Sequence, residues 1–242
     1  MIKHKKLFEF FAPFHTPGST ILLFLLSVTD MVFVVLYWFL IWKLLERSEF
    51  DLTRDFGFAE MYQYIKEFWC ILLATLLLWK TKEKSYLSWI LMLVYILLDD
   101  SMRIHETLGK VIGRQLNFVE IFGIRNIDVG EFAVFAIAGI VTIGLISICF
   151  KHGSKLFKQL TLDLFLFIAL LVFFGVIVDV VHIVINENTI GKVFGTIEDY
   201  GEMLGITLIT WYLFLHNIHS NPMELSLVRT LGKIYKNIFS QA

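Results

Sequence analysis

Charge is scarce in this chain, and so are the residues that interrupt helices. Charged residues make up 18% of 242, against 57% hydrophobic, with only two cysteines and three prolines. A soluble domain carries about 25% charged and roughly 45–50% apolar residues. The balance therefore excludes an ordinary soluble domain, and it excludes a disordered chain as well. Two cysteines exclude a secreted disulfide scaffold. A formal net charge of -1 offers no basic face for nucleic acid. What remains is an integral membrane protein whose first partner is the lipid bilayer. No repeat, linker or low-complexity tract divides it, so residues 1–242 read as a single transmembrane domain.

What is present is a set of long apolar runs. A crossing helix needs about 20 mostly apolar residues. Six segments fit, at about 20–42, 59–79, 86–106, 130–150, 160–185 and 196–215. The predicted fold class is all-α, a polytopic six-helix transmembrane bundle. The second segment is apolar without interruption only from Phe68, so it must start near Ala59 and carry Lys66 and Glu67 into the membrane. The third stays apolar to Leu98 and continues as DDSMRIHE. Asp128 with Glu131 resembles a capping pair before the fourth, and Thr196 with Asp199 fits a capping box at the start of the sixth. Residues 107–128 read as a long loop suited to a lid or re-entrant helix. Both ends, about 3–14 and 224–239, mix apolar and basic residues at helical spacing and read as amphipathic helices lying on the membrane. The first run is too long for a signal-peptide core and no small-residue cleavage site follows it, which predicts an uncleaved anchor.

Basic residues in short loops set orientation. One side, comprising both ends and the loops at 80–85 and 151–158, holds twelve of the 21 Lys and Arg but four of the 22 Asp and Glu. That side is predicted to be cytoplasmic, with both termini inside a multi-pass cell-membrane protein, in bacterial terms the inner membrane. Alternate crossings then bring Asp99, Asp100, His105, Glu106, Glu131, Asp179, His182, Glu198, Asp199 and Glu202 to the outer half. At about 1.5 Å per residue, Glu67, Asp99 and Glu202 lie at matched depth. Ionisable residues inside a membrane are expensive, face the bundle interior and are functional by default.

Spacing supports convergence. Asp99 and Glu106 are seven apart, Ser101 and His105 four apart, and Asp179 and His182 three apart, so each pair shares a helical face or nearly so. Glu198 and Glu202 share a face with Gly201 and Gly205, a small-xxx-small pattern that admits a close neighbour helix. Two imidazoles among carboxylates on several helices suit a divalent metal, Zn, Fe or Mn. The predicted ligands are Asp99, Asp100, His105, Asp179, His182, Glu198 and Glu202. A metal-dependent membrane enzyme is one outcome, with Glu106 as the base for an activated water. A second is a proton- or cation-coupled transporter or channel with Asp30, Glu67, Asp99 and Glu202 as the path. A third is a structural or effector membrane subunit in which the acids tie the bundle together. A homo-oligomer or a partner membrane subunit is compatible with each. Structural roles are expected for Asp30, hydrogen-bonded through Ser27 or Thr29, for an Asp99–Arg103 ion pair, and for His216 and His219 as a surface pair. Cys70 and Cys149 are expected to have nothing to pair with.

Two segments, LLDDSMRIHETLG (97–109) and IEDYGEMLGITLI (197–209), resemble blocks in uncharacterised bacterial multi-pass membrane proteins. One block sets an acidic pair before a His-Glu doublet, and the other has the form E-[DE]-x-x-E-[ML]-x-G. The resemblance covers about 26 of 242 residues. It implies that Asp99, Asp100, His105, Glu106, Glu198, Asp199 and Glu202 form one site, and it implies no particular activity. Ser101 and His105 are also similar to elements of the membrane hydrolases that include alkaline ceramidases and adiponectin receptors, which use Ser, Asp and three His around zinc. With two outer histidines and six helices, a carboxylate would have to replace the third His here.

Overall fold

The computed structural model describes residues 11–116, 125–185 and 189–239, and among these it is all-helical, with no strand. Helix α1 (Pro17–Ile41) begins where Thr16 caps the Ser19 N–H and Pro17 supplies a preset φ. Helix α2 (Phe58–Thr81) has Glu60 in its first turn and Lys80 in its last, both suited to the helix dipole, and stops at Lys82 in the left-handed region. Helix α3 (Tyr86–Met102) is followed at once by α4 (Ile104–Leu116), and α5 (Asn126–His152) comes after the next connection. Helix α6 (Lys155–Val172), capped by Ser154, runs on through a π-helical stretch, Phe173–Val178, into α7 (Asp179–Val184). Helix α8 (Thr189–Ile218) and a C-terminal α9 (Leu227–Phe239) complete the chain.

Four stretches are long and apolar enough to cross a membrane: α1, α2, α5, and Lys155–His182. Their outward faces are apolar, as at Ile21 and Phe24 on α1 and Ile140 and Val141 on α5. This is the reverse of a water-soluble surface. Helix α3 has 17 residues, about 26 Å of rise. Helix α8 is long enough at 30 residues but is less apolar, because it is the hub of the bundle. It packs on α1, α2, α6, α7 and the π-helical stretch, and 15 of its residues are buried. A helix surrounded by protein does not need a lipid-compatible surface all round.

Several expectations are corrected. The third helix does not continue to 106. Arg103 takes φ 52 and its N–H closes on the Asp99 carbonyl, so the chain turns and restarts as α4. Residues 107–116, the first part of the expected lid or re-entrant helix segment, are helical and continuous with 104–106. Helix α4 lies against α5 at the tightest pairing in the structure, where backbone touches backbone. A Cβ on Gly130 would strike the Gly109 carbonyl oxygen, and one on Gly113 would sit 2.7 Å from the Asn126 oxygen. Helix α8 starts at Thr189, a full turn and more before Thr196, so Thr196 and Asp199 lie inside it and form no capping box. The capping pair of α5 is Arg125 with Asp128, whose carboxylate accepts the Arg125 N–H at 2.8 Å, rather than Asp128 with Glu131. The expected amphipathic helix at 3–14 lies mostly outside the described residues, whereas α9 matches its counterpart at the C-terminus.

The principal apolar core joins α2, α3, α6 and α8 through Leu77, Trp89, Tyr86, Phe157, Leu160, Leu164 and Tyr212. Asp163 is fully buried there, accepting from the Tyr212 hydroxyl and from the Val228 N–H at 2.8 Å, which ties the start of α9 to the bundle. Deep between α1, α2 and α8 lies a fully buried ion pair. Lys66 Nζ donates to Asp30 Oδ1 (2.8 Å), the Met203 carbonyl (2.9 Å) and Thr207 Oγ1 (3.1 Å). Thr207 in turn donates to Asp30 Oδ2 at 2.7 Å. All three ammonium protons are thus used. Asp30 is held by Lys66 and Thr207, not through the expected Ser27 or Thr29. Cys70 and Cys149 are both free, as expected, and the Cys70 Sγ lies 3.1 Å from Thr210 Oγ1.

Removing one member of such a pair strands the other charge in a dry interior, at about 3–5 kcal/mol. The expected result for Lys66→Met is that loss, read as a large drop in the melting temperature of detergent-purified protein. Asp30→Leu combined with Lys66→Met is expected to recover most of it. A double variant no more stable than the single one would show that the charges themselves are required.

Candidate functional site

The acids and histidines gather where α3 ends, α4 and α5 begin, and α7 approaches α8. The π-helical stretch widens one turn of the helix and so shifts the direction in which Asp179 and His182 project relative to α6. Small residues then bring α8 close. The Phe174 ring occupies the space a Cβ on Gly201 would need, Glu202 lies against Gly175, and the His182 ring reaches within 2.9 Å of where a Cβ on Gly195 would stand. The result is a compact group. His182 Nδ1 lies 2.7 Å from Glu198 Oε2, and one donor atom each from Asp179, His182 and Glu198 all fall within 4.8 Å of one another. A second group sits at the α3–α4 turn. Asp99 is buried, accepting the His105 backbone N–H at 2.9 Å through Oδ1 and meeting His105 Nδ1 at 3.0 Å through Oδ2. The His105 ring stacks on Phe135 with centroids 4.5 Å apart.

The remaining sequence candidates divide. Glu67 lies beside Asp100, and Gln63 stands beside Glu67, Asp100 and Glu202. Tyr64 donates to the Asp100 carbonyl at 3.1 Å and so fixes α2 against α3. Asp30 is removed from any such cluster by Lys66. Asp99 pairs with His105 and not with Arg103, because the turn at Arg103 swings that side chain away to Glu106 and Asp55. For the same reason Asp99 and Glu106 no longer share a helical face. Ser101 donates to the Leu97 carbonyl of its own helix. His216 is not a surface residue. It is 2% exposed, edge-on to the Tyr212 ring at 4.7 Å, and neither ring nitrogen has a hydrogen bond. Gln63 and Phe135 join the site without being among the sequence candidates. Gln63 stands four residues before Glu67 on the same face, a spacing that sequence does display, whereas the position of Phe135 depends on the α4–α5 packing.

Glu106, the predicted base, lies on α4 beyond the end of α3. Its carboxylate takes two bonds from Arg103 (2.6 and 2.7 Å) and one from Lys110 (2.9 Å). Partial burial works to raise it, but the two cations outweigh this and hold it below the usual carboxylate range. A carboxyl lowered on folding stabilises the fold above its unfolded pKa, and that contribution fades as the pH falls through the folded value. Glu106→Gln is therefore expected to cost less than about 1 kcal/mol near neutral pH. In acid, where wild-type Glu106 is itself protonated, it should cost nothing. Melting curves at both pH values check this, and a cost that persists in acid would assign the residue a different role.

Residues 25–218 match a family described as Domain of unknown function (DUF8692). No curated protein and no solved structure matches the chain. The match takes in the buried ion pair and every acid and histidine of the candidate site, and the chain belongs to this family.

Proposed function

We propose that the protein is an integral membrane protein that holds a divalent transition metal with Asp179, His182 and Glu198. The observation that carries this reading is the meeting of three donor atoms from two helices within 4.8 Å. One imidazole with two carboxylates is a nitrogen and oxygen donor set suited to Zn, Fe or Mn, and three protein ligands leave open positions. Such a metal polarises a bound oxygen or lowers the pKa of a bound water, which places a metal-dependent membrane enzyme ahead of a transporter or a structural subunit. Glu106, committed to two cations, is a poor base for that water. The kinship with bacterial multi-pass proteins carrying the two acidic blocks belongs to the same proposal, as do Asp99, Asp100, His105 and Glu202 as supports around the centre. An ion path through Asp30, Glu67, Asp99 and Glu202 is disfavoured because Asp30 is bound to Lys66 and Thr207 and Asp99 to His105.

The same proposal includes six crossings, by α1, α2, α3, α5, α6 with α7, and α8. Both termini are cytoplasmic and the metal centre faces outward. The charge asymmetry of the loops supports the orientation, and the apolar outer faces of α1 and α5 support the insertion. In a chain whose own cysteines have been replaced, Glu49→Cys is expected to react with a membrane-impermeant maleimide on intact cells. Lys84→Cys should react only after the membrane is opened. The reverse pattern would invert the topology.

Metal content measured by plasma mass spectrometry on detergent-purified protein tests the centre itself. About one transition metal per chain is expected, falling at least 10-fold in His182→Ala and Glu198→Gln. Wild-type protein that neither retains nor takes up Zn, Fe or Mn, or a His182→Ala protein that binds as well as wild type, would overturn the assignment.

A further inference from the structure

At the basic end of the bundle a cavity of about 340 Å³ lies between Pro13, ahead of α1, and the start of α9. Ser226, Arg229, Thr230 and Lys233 line it, together with Glu224. The spacing of the first four is i, i+3, i+4 and i+7, so they form one stripe along the helix. The backbone of this first turn is already used: Val228 donates its N–H to Asp163 at 2.8 Å and Arg229 to the Ser226 hydroxyl at 3.2 Å. What faces the cavity is therefore side-chain chemistry. Arg229 is held from the core. Gln159, 4% exposed, donates to the Met223 (3.2 Å) and Leu225 (2.6 Å) carbonyls and accepts from Arg229 Nη2 at 2.9 Å. That bond uses one of the guanidinium's five donors. Neither Arg229 nor Lys233 forms an ion pair among the described residues. The Glu224 carboxylate accepts from Asn221 Nδ2 at 2.8 Å instead. Two cations against one carboxylate leave the cavity with a net positive charge.

We propose that this cavity holds the phosphate of an anionic phospholipid, a phosphodiester of single negative charge such as phosphatidylglycerol. An arginine fork matches two phosphate oxygens at once, a lysine adds a mobile point charge, and hydroxyls donate to what remains. The other side of the same helix points to a lipid as the source. Val228, Leu231 and Tyr235, spaced i, i+3 and i+7, are exposed, and helical geometry puts them roughly opposite the polar stripe. A helix of this kind sinks its apolar face to the boundary between headgroups and acyl chains, which leaves its polar face at the level of the lipid phosphates. Basic pockets beside the cytoplasmic ends of crossing helices are suited to anionic headgroups for the same reason. The site so read requires the membrane insertion and orientation proposed above, but not the metal at His182.

The test is native mass spectrometry of delipidated, full-length protein in detergent, with phosphatidylglycerol, phosphatidylethanolamine or phosphatidylcholine added singly. Expected is one phosphatidylglycerol per chain, held about 10-fold more tightly than either zwitterionic lipid. Arg229→Gln should weaken it about 10-fold and Lys233→Gln several-fold. Lys233 is exposed, so its variant keeps the test open if Arg229→Gln, which also frees Gln159, disturbs the fold. Lys236→Gln removes an equal charge from the same helix outside the cavity and should leave binding unchanged. His182→Ala should lose its transition metal yet bind the lipid as wild type does, so failure here and failure of the metal centre are read separately. Equal retention of all three lipids, or unchanged binding in both Arg229→Gln and Lys233→Gln, would overturn the site. An equal loss in Lys236→Gln would replace it with diffuse attraction to charge. Displacement of the lipid by millimolar inorganic phosphate would make the ligand a soluble phosphate and overturn the lipid assignment.

Discussion

The Lys66–Asp30 pair constrains more of this structure than its three hydrogen bonds suggest. In a medium without water, an ammonium group must find all its acceptors in the protein. Lys66 finds them on α1 (Asp30) and α8 (Met203, Thr207), so the rotation and axial level of three helices are set at one point. Residues adjacent in a helix project about 100° apart. Once Lys66 faces α1 and α8, Glu67 has to face elsewhere, and it meets Asp100. Once the Met203 carbonyl is held, Glu202 sits at the same level. The acids that look functional are therefore placed by a pair that looks structural.

The acidic end also depends on how closely helices can approach. In lipid there is no hydrophobic drive between helices, so association rests on close van der Waals packing and on polar bonds. The chain places its small residues accordingly. Gly109, Gly113 and Gly130 let α4 and α5 meet backbone to backbone, and Gly195 and Gly201 admit the His182 and Phe174 rings against α8. The first set fixes the turn that holds Asp99 and His105. The second brings His182 onto Glu198. A π-helical turn in the same region adds the change of direction that Asp179 and His182 need.

Much of this is readable in the sequence, and the exceptions share a cause. The crossing segments stand out because an apolar run of about 20 residues matches the thickness of a bilayer and little else. The observed α1, α2 and α5 lie within about four residues of the expected bounds at each end. The approach of Asp179 and His182 to Glu198 follows from spacing and from the alternation of crossings. The break at Arg103 is invisible because DDSMRIHETLGKVIGRQL is helix-compatible throughout, and a left-handed arginine is a tertiary decision rather than a local preference. The partner of Asp30 is hidden behind two nearby hydroxyls, Ser27 and Thr29, that offer a local hydrogen bond before a distant one is considered. A lysine and an aspartate each inside an apolar run do, however, point to one another. The burial of His216 is masked because its HxxH spacing with His219 sits at a helix end, where exposure is the default. Sequence reveals what each helix carries, but not which of its faces a neighbour has already taken.

The carboxylates of the two ends differ in how completely the fold satisfies them. At the basic end each acid among the described residues is committed to the fold: Asp163 to Tyr212 and Val228, Glu83 to the Ser154 backbone and hydroxyl, Glu224 to Asn221. If the acids at the opposite end served only to tie helices together, they would be committed in the same way, because a buried polar atom left unpaired costs about 1–3 kcal/mol and more when charged. Instead both oxygens of Glu67 and one of Asp199 have no hydrogen-bond partner, while Asp179 and Glu198 crowd a single imidazole. Unpaired carboxylate oxygens thus gather at the acidic end, near the Asp179, His182 and Glu198 donors, whereas the unpaired buried atoms of the basic end, Tyr86 Oη, the two His216 ring nitrogens and Asn217 Oδ1, belong to no acid.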